Sequence, residues 1–245
     1  MRNLLLFLTL LALPSLGAAC TIRLAVASNF KTTMEALVET YEREPQNEFQ
    51  IISGASGVLF SQILRGAPFD IFFSADADKI DRLDKQNRTY GESWTYAIGR
   101  MALYTPGRSP SSFLESNDPT DSIALANPRH APYGAAGAFW LRTHLRSGKP
   151  VRYVFGGNVA QVFHYVQSGN ASAGLVALAQ LINKEIRPDE YVALPGDEYP
   201  LIEQKAAVLR QPTCAMTTKF VRFLHSDEAA QIIQRSGYET VDMKR

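Results

Sequence analysis

Small and hydroxylated residues recur in turns of this sequence that each follow a β-prone run and precede a helical pattern. The turns are Ala27-Ser28-Asn29-Phe30, Gly54-Ala55-Ser56-Gly57, Pro132-Tyr133-Gly134 and Gly156-Gly157-Asn158-Val159. The start of a helix presents free backbone N–H groups and the positive end of the helix dipole, and small residues let an anion approach closely. Ser28 and Ser56 add hydroxyl donors. The chemistry that fits this set is the binding of a small anion.

No Lys or Arg lies within these turns, so an anion held there would contact only uncharged amide and hydroxyl groups. About six to eight charge-assisted hydrogen bonds, at about 1.5–3 kcal/mol each and offset in part by the cost of association, support micromolar to nanomolar affinity. Uncharged donors also disfavour a protonated oxyanion, because its hydroxyl hydrogen would find no acceptor.

Taken alone, each turn also has a purely structural explanation. Ser28 and Ser56 are residues that favour helix N-caps, glycines suit tight turns, and Tyr133 is an aromatic residue that packs well at a sheet edge. The joint placement at successive strand ends favours a binding site, because ligands of open α/β sheets bind beyond the carboxyl ends of the strands.

A serine hydrolase is the catalytic alternative. The segment from Gly54 to Val58 lacks the second glycine of a Gly-x-Ser-x-Gly nucleophile elbow, and no histidine is an obvious partner for Ser56. The 4 histidines show no metal-ligand spacing, and 2 distant cysteines do not indicate a zinc site. We therefore expect no enzyme activity, no cofactor and no directly ligated metal ion.

The elements that must position these turns alternate between β-prone runs and segments of helical period, which predicts an α/β fold with mainly parallel sheets and helices on both faces. Strands are predicted at residues 22–27, 49–52, 70–73, 123–125, 152–155 and 174–176. Two longer β-prone runs, 96–104 and 202–210, interrupt the alternation. Helices follow most strands, and Ser226-Asp227 and Gly237 bound the last one.

Two βα blocks joined by two extended runs indicate two lobes, with two crossover strands as a hinge that allows closure around a ligand. We predict lobe I over residues 21–98 and 199–245 and lobe II over residues 99–198.

The first residues have the order of a secretory leader: Arg2, an apolar run at 4–13 that is too short to span a bilayer, and small residues at 17–19. We predict a cleaved signal peptide over 1–19 and a periplasmic product of about 225 residues. Without Arg2 the 25 basic residues become 24, which equals the 24 acidic ones. A near-neutral chain has no long-range field for nucleic acid.

Export would place Cys20 and Cys214 in an oxidising compartment, where a disulfide between them is plausible. Lipidation of Cys20 as the first mature residue is the rival, although Gly17 stands where a lipoprotein signal usually has Leu. Two unpaired thiols are the third possibility, and the sequence leaves all three open.

These motifs resemble the periplasmic molybdate-binding proteins of ABC transporters over nearly the whole mature chain. The matching segments are 25–30, 54–57, 62–70, 73–76, 126–128, 131–134, 157–161 and 236–238. The stretch Gly66-Ala67-Pro68-Phe69-Asp70 with Ser74-Ala75-Asp76 after it is the most specific part.

The resemblance implies a two-lobed type II periplasmic binding protein fold that delivers molybdate or tungstate, as a monomer, to a membrane permease driven by a cytoplasmic ATPase. It assigns the anion contacts to the hydroxyl and N–H of Ser28, the hydroxyl and N–H of Ser56, and the N–H groups of Tyr133 and Val159. The alternative ligand is another small oxyanion, such as sulfate, phosphate or chromate, or a small organic anion.

One position departs from the family pattern. The best-known members supply a tyrosine hydroxyl from the segment that matches 174–177, where this chain has Ala177. We assign Asn29 and Tyr133 as the residues that replace this contact.

Overall fold

The computed structural model of the chain describes residues 20–41, 48–145, 151–212 and 214–240. The predicted signal peptide, residues 1–19, lies outside the described residues, so its cleavage stays a prediction. Within these ranges no helix combines the length and the apolar character needed to cross a membrane.

The first sheet has five strands in the order β2-β1-β3-β10-β4. Strand β1 pairs in parallel with β2 and β3, whereas β10 is antiparallel to both of its neighbours. The strands of this sheet are β1 Thr21–Ala27, β2 Glu48–Gly54, β3 Ile71–Ser74, β4 Tyr90–Gly99 and β10 Ile202–Val208. The helices along this part of the chain are α1 Lys31–Tyr41, α2 Ser56–Leu64, α3 Ala77–Lys85, α8 Ala215–Leu224 and α9 Asp227–Arg235.

The second sheet repeats this plan with five strands in the order β7-β6-β8-β5-β9. Strand β6 is parallel to β7 and β8, and β5 is antiparallel to β8 and β9. Its strands are β5 Met101–Tyr104, β6 Ser122–Ala126, β7 Arg152–Gly156, β8 Ala173–Ala177 and β9 Tyr191–Ala193. The helices here are α4 Pro110–Glu115, α5 Pro132–His144, α6 Val159–Gln167 and α7 Leu178–Asn183, with a 3₁₀ turn at Pro188–Glu190.

We refer to the two sheets with their helices as lobe I and lobe II. The chain passes from the first sheet to the second at Arg100, between β4 and β5, and returns through residues 194–201 to β10. The β-prone run 96–104 divides at Arg100: its first part belongs to β4 of the first sheet and its second part to β5 of the second sheet. The residue boundaries predicted for the lobes remain a proposal.

Lobe I has apolar contacts on both faces of its sheet, as side chains of alternate residues in a buried strand require. Leu24 and Val26 of β1 belong to a cluster with α1, α8 and α9, and Ala25 lies on the opposite face with residues of α2 and α3. A third cluster is centred on β5, β6 and β8 with α5 and α6 of lobe II, and it extends to Ala27, Ala55 and Ala75 of lobe I. These cores fix the strand ends from which the site residues project.

A disulfide between Cys20, which precedes β1, and Cys214, which precedes α8, confirms that pairing among the three possibilities. The two cysteines are 194 residues apart in sequence, and both lie in lobe I because β1 and α8 belong to that lobe.

Candidate functional site

A small cavity lies between the lobes where several strands end. Its volume is about 10 Å³, which is about the space of one water-sized sphere. The residues that line it are Ala27, Ser28, Asn29, Gly54, Ala55, Ser56, Ala75, Ala131, Pro132, Tyr133 and Val159. All five residues predicted for the anion site are among them. Since they come from four separate parts of the chain, the fold brings together what the sequence keeps apart.

Ser56 is the first residue of α2 and is 1% exposed. The residue that caps this helix is Ala55, and the Ser56 hydroxyl accepts a hydrogen bond from the N–H of Ala75 instead of one from its own helix (N to Oγ 2.8 Å). The structural explanation of Ser56 as an N-cap is therefore wrong. Because Ala75 occupies an acceptor site, the hydroxyl hydrogen is available to a ligand, as is the N–H of Ser56 in the first turn.

Tyr133 and Val159 supply the N–H groups of lobe II. Tyr133 follows Pro132 in the first turn of α5, whose cap residue Ala131 makes no side-chain hydrogen bond. Val159 begins α6, where the Asn158 side chain accepts from the N–H of Gln161 and leaves that of Val159 unused. The first N–H groups of a helix have no acceptor within it, so both remain available to an anion.

The turn after β1 differs in part from the expectation. The N–H of Ser28 donates to the carbonyl of Gly54 (2.9 Å), which continues the pairing of β1 with β2. The assignment of this N–H to the anion is therefore wrong for the structure described, and the Ser28 hydroxyl is the group that remains. The sequence pattern could not show how far the strand pairing extends.

Asn29 is one of the residues that line the cavity. Its side-chain Nδ2 donates to Gln204 Oε1 (2.8 Å) and to the hydroxyl of Tyr238 (3.1 Å), which uses both amide hydrogens. The backbone N–H of Asn29 has no acceptor among the described residues. Any contact that Asn29 offers as a replacement for the family tyrosine must therefore come from that N–H.

The Tyr133 hydroxyl lies at the hinge, beside Gly99 and Gln204. Burial raises the pKa of Tyr133 well above its ordinary value, with a further contribution from the neighbouring Tyr238. Ala177 does not line the cavity, and its N–H donates to Oε1 of Gln180 (3.1 Å). The residues that sequence reasoning missed are Gln204, Tyr96 and Ala75, because no local motif marks them.

None of the residues that line the cavity is acidic or basic, so no lining side chain carries a formal charge. Its polar groups are hydroxyls and the N–H groups of helix starts from both lobes. Two α/β lobes, two crossings between them and a small polar cavity at their interface define a type II periplasmic binding protein.

Comparison with known proteins agrees with this class. Residues 22–239 match the family model of the bacterial extracellular solute-binding proteins. The molybdate-binding protein ModA of Azotobacter vinelandii is 31% identical over 90% of this chain and 90% of its own length, and that of Rhodobacter capsulatus is 31% identical over 94% and 92%. The solved periplasmic molybdate-binding protein of Azotobacter vinelandii, with 32% identity, superposes with a TM-score of 0.78 over 90% of this chain and 99% of that one.

The chain therefore belongs to the bacterial extracellular solute-binding proteins, within the ModA family. The family is one of solute-binding components of transport, and its members act outside the cytoplasm.

Proposed function

We propose that this protein binds molybdate or tungstate in the cavity between its lobes and delivers the anion to an ABC transporter permease. The observation that carries the proposal is that Ser28, Ser56, Tyr133 and Val159, from both lobes, line one cavity without any charged side chain. The relatives at 31% identity that carry the name molybdate-binding protein support the choice of ligand.

The donors suit a tetrahedral dianion. We assign the Ser28 hydroxyl, the Asn29 N–H, the Ser56 hydroxyl and N–H, and the N–H groups of Tyr133 and Val159 to its oxygens. Each is a hydrogen-bond donor to a charged acceptor, in a site from which closure of the lobes excludes water. The metal of the oxyanion is cargo and makes no direct bond to the protein.

The same geometry argues against catalysis. A hydrolase mechanism at Ser56 requires a general base within reach of its hydroxyl, and the residues that line the cavity include no His, Lys, Asp or Glu. We therefore propose a binding protein that is not an enzyme, exported to the periplasm by a cleaved leader and monomeric. Because Cys20 is consumed by the disulfide, we propose no lipid anchor at that residue.

The proposal is tested by isothermal titration calorimetry of the mature protein with molybdate, tungstate, sulfate and phosphate. The protein is first dialysed against buffer free of these anions. We expect a stoichiometry of one, submicromolar affinity for molybdate and tungstate, and at least a hundredfold weaker binding of sulfate, whose shorter bonds to oxygen leave some donors out of reach. Equal or tighter binding of sulfate or phosphate would assign the site to the alternative oxyanions. Absence of heat with all four would contradict an oxyanion site altogether.

A further inference from the structure

A cluster of polar side chains lies buried directly behind the Asn29 turn. It consists of Asn29, Tyr96, Gln204 and Tyr238, which we call the hinge network. All four are buried, and Gln204 is 0% exposed. Burying so many polar groups beside Phe30 and Phe73 is costly unless they satisfy one another, so their arrangement requires a reason.

The hinge network fixes Asn29 at both its side chain and its main chain. The Tyr238 hydroxyl donates to the carbonyl of Asn29 (2.7 Å) and accepts from its Nδ2. Gln204 Oε1 accepts from the same Nδ2 and from the hydroxyl of Tyr96 (2.9 Å). With the side chain and carbonyl both held, the peptide that carries the Asn29 N–H has little freedom to rotate away from the cavity.

Tyr238 is itself held by the hinge. The residue after it, Glu239, forms a β-bridge with Ile98, in which the N–H of Ile98 donates to Glu239 (2.7 Å) and the N–H of Glu239 donates back (3.1 Å). Gly237, before it, lies so close to Ile182 of α7 that a side chain would overlap it. The C-terminal segment thus connects the crossover strand β4, helix α7 of lobe II and the anion-binding turn.

At the boundary between the lobes, the hinge network meets Tyr133 of lobe II through the side-chain amide of Gln204. Gln204 Nε2 and the Tyr133 hydroxyl are both buried, and neither has a well-aligned hydrogen-bond partner among the described residues, although Gln204 lies close enough to oppose the rise in the pKa of Tyr133. Both lie against Gly99 at the crossover, where an added Cβ would collide with each of them. A small approach of lobe II would let Nε2 donate to the hydroxyl oxygen and satisfy both groups.

We propose that Tyr238 and Gln204 are positioning residues of the anion site, which hold the Asn29 turn with its N–H facing the cavity. When the lobes close on the anion, Gln204 donates to the Tyr133 hydroxyl, so the turn of lobe I and the first turn of α5 are fixed as one unit. This inference rests on the proposed function and adds to it the groups that connect ligand binding with closure.

The test uses two substitutions that remove only a hydroxyl group, Tyr238→Phe and Tyr133→Phe. Tyr104→Phe is the matched control: Tyr104 is also a buried tyrosine, but it packs on Phe163 in the core of lobe II. Molybdate affinity is measured by calorimetry, and the dissociation rate by stopped-flow tryptophan fluorescence. Circular dichroism at the same temperature establishes that each variant is folded.

We expect Tyr238→Phe to raise Kd about tenfold, because two hydrogen bonds to Asn29 are lost, and Tyr133→Phe to raise it about fivefold through faster dissociation. Tyr104→Phe should bind as the wild type does. A role in stability alone would lower the melting temperature of the free protein without changing the dissociation rate of the folded one. An unchanged Kd in either Tyr238→Phe or Tyr133→Phe overturns the inference, whereas failure of the wild type to bind molybdate would overturn the proposed function instead.

Discussion

At the scale of single residues, the site is built from polar groups that still have a hydrogen-bond donor available after their bonds within the protein are made. The Ser56 hydroxyl accepts a hydrogen bond from the N–H of Ala75, so its own hydrogen can still be donated to a ligand. The side chain of Asn29, in contrast, donates both amide hydrogens to groups inside the fold. Hydrogen-bond accounting of this kind separates the residues that can contact a ligand from those that position them.

The double substitution Ser28→Ala with Ser56→Ala tests the hydroxyl donors. Each hydroxyl donates to a charged acceptor, worth about 1.5–3 kcal/mol, and tenfold in Kd corresponds to about 1.4 kcal/mol. We therefore expect molybdate affinity, measured by calorimetry, to fall at least tenfold. Ser53→Ala with Ser61→Ala, at exposed positions of β2 and α2, is the control pair and should bind normally. Unchanged affinity in the first pair would remove both serines from the site.

The buried tyrosines predict how stability depends on pH. Burial raises the pKa values of Tyr96, Tyr133 and Tyr238 in the folded protein above their ordinary value of 10.0. A raised folded pKa means that the folded state holds the proton more tightly, so the stabilisation is complete below the unfolded pKa and declines above it.

We expect the free energy of unfolding, from urea titrations between pH 8 and pH 11, to decrease above about pH 10, by up to about 1.4 kcal/mol per pH unit for each tyrosine. Tyr96→Phe should make this decrease shallower. A flat profile to pH 11 would contradict the burial of these hydroxyls.

At the scale of elements, a helix start can leave its N–H groups to a ligand, accept a side-chain cap, or do both, as α6 does with Asn158 as its cap and Val159 at the cavity. The starts of α2 and α5 make no side-chain cap bond, and both border the cavity. Helix α3 is capped instead by Asp76, a residue type that favours this position, with the carboxylate accepting from the N–H of Lys79 (3.0 Å). A local sequence motif thus identifies an ordinary cap, while an uncapped start indicates a site only when its surroundings are known.

Asp76→Ala should lower the free energy of unfolding by about 1 kcal/mol, because one N–H of α3 loses its acceptor. Asp78→Ala is the control in the same helix: its side chain is 66% exposed and makes only surface ion pairs, so we expect less than about 0.5 kcal/mol. Urea denaturation of both variants measures the difference. Equal losses would show that the cap contributes nothing beyond charge.

At the scale of the whole molecule, the lobes meet at a backbone contact next to the cavity. The N–H of Gly57, in lobe I, donates to the carbonyl of His130, in lobe II (3.0 Å). A Cβ at position 57 would lie 3.0 Å from that carbonyl oxygen and 3.1 Å from the Cα of His130. Because Gly57 has no side chain, the two lobes can approach each other this closely at His130.

Gly57→Val should hold the lobes apart and raise the Kd for molybdate at least tenfold, since the donors of lobe II no longer reach the anion. Small-angle scattering should show a smaller decrease in radius of gyration on adding molybdate than in the wild type. Ser61→Val, one turn later on the exposed side of α2, controls for valine in this helix. Normal affinity with normal compaction in Gly57→Val would mean that this contact does not limit closure.

Sequence alone determined the strand and helix content, the turns that carry the donors and the likeness to a family of oxyanion receptors. It could do so because side-chain periodicity, turn residues and helix starts are local properties of the chain. Tertiary structure alone decided that Ser28 and Tyr133 line the same cavity and that Gln204 and Tyr238 hold Asn29. These facts depend on partners up to 209 residues apart, whose pairing follows from packing of the whole chain and leaves no trace in any short segment.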